Sequence, residues 1–429
     1  MGTALFIVFA VLVLMGIPLA FCLSGSALLA FAGWSDFPAT IVIQKFFTGS
    51  DSFTLLAIPF FMMSGSIMSR GGVSKRLIDL FSMGLKNVPG GLAMVTIVCC
   101  AFFGAISGSA PATCAAIGGI MVPAMIEHKY DDSFAMTTAA SGGFLGHIIP
   151  PSISMVTFSV VAGCSIGDMF LAGFLPGIVL ALSMCTYAFI VGRKNNYVID
   201  RGDEAKMTFR QVITVIVEAI PAILMPVIIL GGIYGGVFTP TEAGCVSVIY
   251  GLIVSLYIYR EMTWKDLPKI LVESALSTSM VVLIVAGASS FANIITREMI
   301  PNKVAAFIAG VSSSKYVFLL LVNLLLLVVG CFMDTQVSIV IIAPILLPVA
   351  NALGINTIHF GIVMICNLAI GLITPPLGMN LNVASGIGHV PLTYLIKRHL
   401  LGYLIADIAA LLVITYVPAL SLILPGMNR

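Results

Sequence analysis

Apolar runs long enough to cross a bilayer recur along the whole chain. They fall at 3–33, 53–69, 92–126, 133–163, 169–192, 212–236, 242–259, 274–296, 304–350, 357–388 and 399–424. A membrane helix needs about 20 apolar residues, and several of these runs exceed one span. Hydrocarbon cannot satisfy free backbone groups, so segments of this kind are confined to helices. Charged residues make up 9% of the 429, against about 25% in soluble domains, too few to cover a water-facing surface. The sequence therefore predicts an all-α, polytopic membrane protein with the lipid bilayer as its main solvent. The first run, MGTALFIVFAVLVLMGIPLAF, has no basic residue ahead of it and reads as the first membrane span, not a removed signal peptide. The longest polar stretch, about 193–210, is too short to build a soluble core.

Several function classes drop out. A formal net charge of +2 leaves no basic stripe for nucleic acid. The nine Cys all lie in apolar runs without a CxxC pair, and the five His show no HxxxH or HExxH spacing. They read as buried thiols and scattered imidazoles, with no metal site beyond what backbone oxygens can offer. No nucleophile–base pair marks an enzyme, and no catalytic residue is assigned. Positive charge sets the topology. Arg193, Lys194, Arg201, Lys206 and Arg210 cluster in one loop, and Arg260, Lys265 and Lys269 in another two apolar segments later. Such loops stay cytoplasmic, which puts 235–244 on the other side. The segment 70–86, with Arg70, Lys75, Arg76 and Lys86 around Leu77, Ile78, Leu80 and Phe81, reads as an interfacial amphipathic helix or a solvated connector.

An internal repeat organises the chain. Gly146-His-Ile-Ile-Pro150-Pro151 resembles Gly371-Leu-Ile-Thr-Pro375-Pro376, 225 residues apart, and the same offset carries Pro123 onto Pro348. Further upstream, Phe103–Ser107 falls close to Gly330–Asp334. Two related repeats are expected, 1–200 and 201–429, inverted in the membrane. Each has a re-entrant hairpin (about 92–126 and 316–350) and a broken helix (about 133–163 and 357–388). Proline removes an N–H and pushes the preceding residue out of the helical region. A Gly followed by Pro-Pro therefore unwinds a helix locally. Secondary transporters place substrate and coupling ions at such matched interruptions near the midplane. Freed carbonyls suit a hard cation such as Na⁺, and the half-helix N-terminus suits a carboxylate.

Polar residues near these breaks carry two readings each. Asp334, deep in an apolar run, holds an ion or substrate, or caps the half-helix that follows. Ser107, Ser109, Thr113, Thr335 and Gln336 contact substrate or ion, or satisfy the backbone of the hairpin tips. The Thr374 hydroxyl, just before Pro375, is placed to join freed carbonyls around Na⁺. Asn380 offers a substrate-facing amide or an N-cap. His147, in the first break, reads as a packed histidine before it reads as a proton relay.

With these stretches, and with LLAIPFFMMSGSIMSRGG, FFGAISGSAPAT, MPVIILGGIYGGVFTPTEA, APILLPVANALGIN and HFGIVMICNLAIGLITPPLGMNLNVASGI, the chain resembles the large (M, DctM-like) membrane subunit of tripartite ATP-independent periplasmic (TRAP) transporters over essentially its whole length. The resemblance implies a scaffold and a transport domain that slides against it as an elevator. It also implies sodium as the coupling ion, with no other cofactor. The partners it implies are a periplasmic binding protein (P type) that delivers an organic acid and a separate small membrane subunit (Q type). Carried onto this sequence, one sodium site uses carbonyls or hydroxyls of Gly104, Ser107, Gly146 and Ile149, and the other those of Gly330, Gly371, Thr374 and Leu377. Pro111-Ala112-Thr113, Gly142-Gly143-Phe144 and Met379–Asn382 depart from the pattern of many C4-dicarboxylate members, which points to a larger acid such as sialic acid. The alternative is an ion-coupled anion carrier of the wider ion-transporter fold that works without a binding protein.

Overall fold

Helices follow one another without a strand among the residues described by the computed structural model, which are 1–35, 38–85, 87–197, 208–304, 314–396 and 399–427. The order is α1 (Gly2–Leu14), α2 (Leu19–Trp34), α3 (Thr40–Ser50), α4 (Ala57–Arg70), α5 (Val73–Leu85), α6 (Gly91–Ser107), α7 (Ala110–Glu127), α8 (Asp132–Gly143), α9 (Ile153–Ala162) and α10 (Ile166–Lys194). After it come α11 (Phe209–Tyr234), α12 (Pro240–Ile253), α13 (Leu267–Arg297), α14 (Lys315–Phe332), α15 (Thr335–Ala352), α16 (Thr357–Gly371), α17 (Met379–Gly388), α18 (Leu392–Ile396), α19 (Leu400–Tyr416) and α20 (Ala419–Met427). Eight helices among the described residues are long and apolar enough to cross a membrane.

The first apolar run departs from the expected single span. It folds as α1 and α2, of 13 and 16 residues, split at Gly16 (φ 76°) and Pro18. At 1.5 Å per residue each is about 20–24 Å long, short of the roughly 30 Å hydrocarbon core. The segment after Arg70 resolves in favour of a helix: α5 buries Val73, Leu77 and Ile78 and leaves Lys75 outward. Arg76 fixes it, with Nη1 2.8 Å from Glu261 Oε1 and the guanidinium 4.3 Å from the Tyr259 ring centre. Of the residues read as cytoplasmic, Lys86, Arg201 and Lys206 lie outside the described set, as does the boundary between the two repeats at 200.

The scaffold joins α4 to α12 and α13, and α13 to α2 and α3. The hairpins α6–α7 and α14–α15 and the broken helices α8–α9 and α16–α17 form the other body, buttressed by α10 and α19. The hairpins cross over. α7, from the first repeat, packs on α17 of the second; α15, from the second, packs on α9 of the first. The two bodies touch at main chain: a Cβ on Gly65 of α4 would stand 2.7 Å from the Ser107 Cα at the first hairpin tip.

Candidate functional site

Each hairpin tip sits against the break of its own repeat. At the first tip α6 ends at Ser107, and Gly108 turns left-handed (φ 62°), with its N–H on the Gly104 carbonyl at 2.9 Å. That conformation favours glycine. Ser109 is extended and α7 starts at Ala110, with Pro111 in its first turn, where a missing N–H costs nothing. The Thr113 hydroxyl donates to the Ser109 carbonyl at 2.7 Å and lies 2.8 Å from the Ser107 hydroxyl.

Pro150 and Pro151 stand four residues after Gly146 and His147, so those two carbonyls lose the N–H donors that a continuous helix would supply. The Ser152 hydroxyl takes the His147 carbonyl at 2.5 Å. The Ile153 N–H, in the first turn of α9, reaches across to the Gly108 carbonyl at 3.3 Å. Tip and break meet backbone to backbone: a Cβ on Gly104 would stand 2.8 Å from the Gly146 Cα, and one on Gly146 would stand 2.6 Å from the Thr113 Oγ1.

The second repeat reproduces this. Pro375 and Pro376 follow Gly371 and Leu372 by four residues. The Leu372 carbonyl accepts the Asn380 N–H at 3.0 Å, and the Gly371 carbonyl the Thr374 N–H at 2.9 Å. The Thr374 hydroxyl donates to the Ile370 carbonyl at 2.9 Å. A Cβ on Gly371 would stand 2.5 Å from the Gly330 Cα. Both Pro-Pro bonds are cis. At the second tip the Asp334 carboxylate accepts the Gln336 N–H at 3.0 Å and caps α15. The N-caps Ser109 and Asp334 are 225 residues apart, but Gly104 and Gly330 are 226 apart. The first tip therefore has one fewer residue of helix and one extra residue of turn, Gly108.

The expected sodium residues fall into two groups on this frame. Gly104, Ser107 and Gly146 come together at the first tip, while Ile149 lies on the far side of the break, lining an apolar groove with Pro150. Gly330 and Leu377 line a cavity of about 200 Å³ with Asp334 and Leu372, next to Gly371 and Thr374. The expected substrate residues divide further. Ser109 faces a cavity of about 530 Å³ that the first tip shares with α4 and α13, and Thr113 supports it from behind. Gln336 gives its amide N–H to the Ser154 hydroxyl at 3.0 Å. Thr335 is buried without a partner for its hydroxyl. Asn380, fully buried, donates from Nδ2 to the Ala140 carbonyl at 3.0 Å and so ties the second break to the first. His147 is packed, at 3% exposure.

Sequence reading passed over four contributors. Ser338 donates to the Asp334 carbonyl at 2.9 Å, the counterpart of Thr113, and the 225 offset alone pointed to it. Ser154, Gly65 and the Arg70–Glu273 pair are tertiary partners with no local signal.

Comparison with known proteins decides what kind of membrane protein this is. Residues 6–420 match the family model of the tripartite ATP-independent periplasmic transporter, DctM component. The chain belongs to this family. The C4-dicarboxylate TRAP transporter large permease protein DctM of Pseudomonas aeruginosa is 42% identical over 89% of this chain and 88% of its own length. The isethionate TRAP transporter permease protein DctMQ of Oleidesulfovibrio alaskensis is 40% identical over 98% of this chain, which spans 66% of that longer relative. A solved structure of the Alcanivorax borkumensis YdaH transporter covers 88% of this chain and 86% of its own, with a TM-score of 0.61 at 14% identity, a likeness of fold. A TRAP large permease with these spans is a multi-pass protein of the bacterial inner membrane.

Proposed function

We propose that this permease imports an organic acid on a sodium gradient. A periplasmic binding protein delivers the acid, a small membrane subunit braces the scaffold, and the hairpins and broken helices move as one body. The observation that carries this reading is the paired glycine contact, Gly104 on Gly146 and Gly330 on Gly371. Each pair brings a re-entrant tip against carbonyls stripped of helical donors, the surroundings a hard cation needs. The acid is assigned to the first tip. There α7 begins with no side-chain cap on its N–H groups, so its positive end faces the cavity of about 530 Å³. Both names among the relatives denote small organic anions, one a sulfonate; sialic acid and C4-dicarboxylates remain the two acids to compare first.

Reconstitution tests the reading. Uptake into proteoliposomes is expected only with an inward sodium gradient, the small subunit and the cognate binding protein together. Thr374→Val should raise the sodium concentration for half-maximal uptake while leaving insertion and unfolding temperature near wild type. Transport that ignores the binding protein would favour the carrier that works alone, and transport without a sodium gradient would remove ion coupling.

A further inference from the structure

The cavity at the first tip has a second wall, and the scaffold builds it. α4 contributes Ser66, Ser69 and Arg70; α13 contributes Glu273, Ser274 and Ser277. Helix contacts inside membranes are ordinarily made by apolar and small side chains, and ionisable groups there mark solute pathways. Here four serines and an ion pair face Ser107 and Ser109 across the gap. Arg70 Nη2 lies 2.5 Å from Glu273 Oε2, yet the two side chains keep 34% and 45% of their surface open. A pair so exposed is held weakly and exchanges partners readily. Ser274 is 6% exposed and its hydroxyl has no partner, a buried polar group that a bound solute would satisfy. Glu273 sits near the start of α13, which directly follows the basic loop 260–269, so this wall lies toward the cytoplasmic end. The neighbouring Asp266, held below the usual carboxylate range by hydrogen bonds from Thr263, also feels Arg70 and Lys269. The mouth is thus balanced in charge, and an anion enters by exchange with a carboxylate already there.

We propose that Arg70 is a second anion contact, on the scaffold, which receives the organic acid as it leaves the first tip by releasing Glu273. This rests on the assignment of the first tip to the acid. A guanidinium presents a planar fork of donors that a carboxylate or sulfonate meets two-handed. In the empty cavity Glu273 occupies that fork; in the loaded one the acid takes it, and the serine hydroxyls, which both donate and accept, hold the rest of the solute. The ligand class is a carboxylate- or sulfonate-bearing solute small enough for the cavity.

The test is inhibition of uptake by acid trapped inside proteoliposomes that contain the complete transporter, with succinate, isethionate and sialic acid as probes. Arg70→Gln should weaken internal inhibition about tenfold, and Glu273→Gln, which frees the guanidinium of its competitor, should strengthen it about tenfold, the scale of one charged hydrogen bond. A structural brace gives a different pattern: both variants lose thermal stability alike and the inhibition constant stays put, which overturns the proposal. Should Arg70→Gln fail to insert, Glu273→Gln decides alone, because it keeps the guanidinium. No sodium-driven uptake of any of the three acids by the unaltered complex overturns the assignment of the first tip and this proposal with it. Normal uptake with unchanged inhibition in Glu273→Gln overturns the proposal only.

Discussion

At the first hairpin tip Ser109 stands at the N-cap of α7 with its side chain unused for capping, whereas at the second Asp334 stands at the N-cap of α15 and holds the Gln336 N–H. One residue further into each helix pair the contrast repeats. Gln336 is tied to Ser154 across the repeats, while the positions 225 residues away, Pro111 and Met379, have no side-chain donor to do the same. The glycine contacts beneath the tips are alike in both halves. Duplication has thus kept the main-chain frame and let the side chains at its surface diverge, one tip closed by a carboxylate and an amide, the other left open onto the larger cavity.

The frame offers the largest test. Gly146→Ala and Gly371→Ala should each lower stability by roughly 1–3 kcal/mol, the usual scale of overpacking, and abolish sodium-driven uptake. Thermal unfolding of the purified complex beside an uptake assay would show it; a tolerated methyl at either position would end the equivalence of the two halves. Next comes the cap. Asp334→Ala should cost about 1 kcal/mol, the typical worth of an N-cap, and Ser109→Ala close to nothing. Asp334→Asn keeps an acceptor and should restore stability; uptake that stays low in that variant assigns the charge a role in transport beyond capping. The smallest effect concerns the amide. A double-mutant cycle on Gln336→Ala and Ser154→Ala should return a coupling near 1 kcal/mol, and a coupling of zero would reopen the second tip as a place where Gln336 is free to meet solute.

Much of the frame was legible because its causes are local. Pro-Pro after Gly interrupts a helix wherever it stands, and the 225-residue offset linked the two interruptions before any coordinates were needed. The hairpins were legible for the same reason, as apolar runs too long for one span with small and polar residues at their centres. What stayed hidden depends on distant partners. Arg70 meets Glu273 across 203 residues and Gln336 meets Ser154 across 182; neither separation leaves a periodic trace. The extra turn residue at the first tip was masked because Gly104 and Gly330 looked aligned, though their N-caps differ by one in spacing. The split of the first run into α1 and α2 had a signal, Gly16-Ile17-Pro18, whose glycine and proline are turn formers, outweighed by the hydropathy around it.

The glycine-on-glycine contacts have a further consequence. A cradle made of main-chain atoms cannot be altered by exchanging a side chain; it can only be lost by adding one. Drift at the four positions is therefore nearly all-or-none, whereas the serines and amides around them are open to gradual change. A lineage built this way can retune what it carries in small steps, while the machinery that moves the cargo stays fixed.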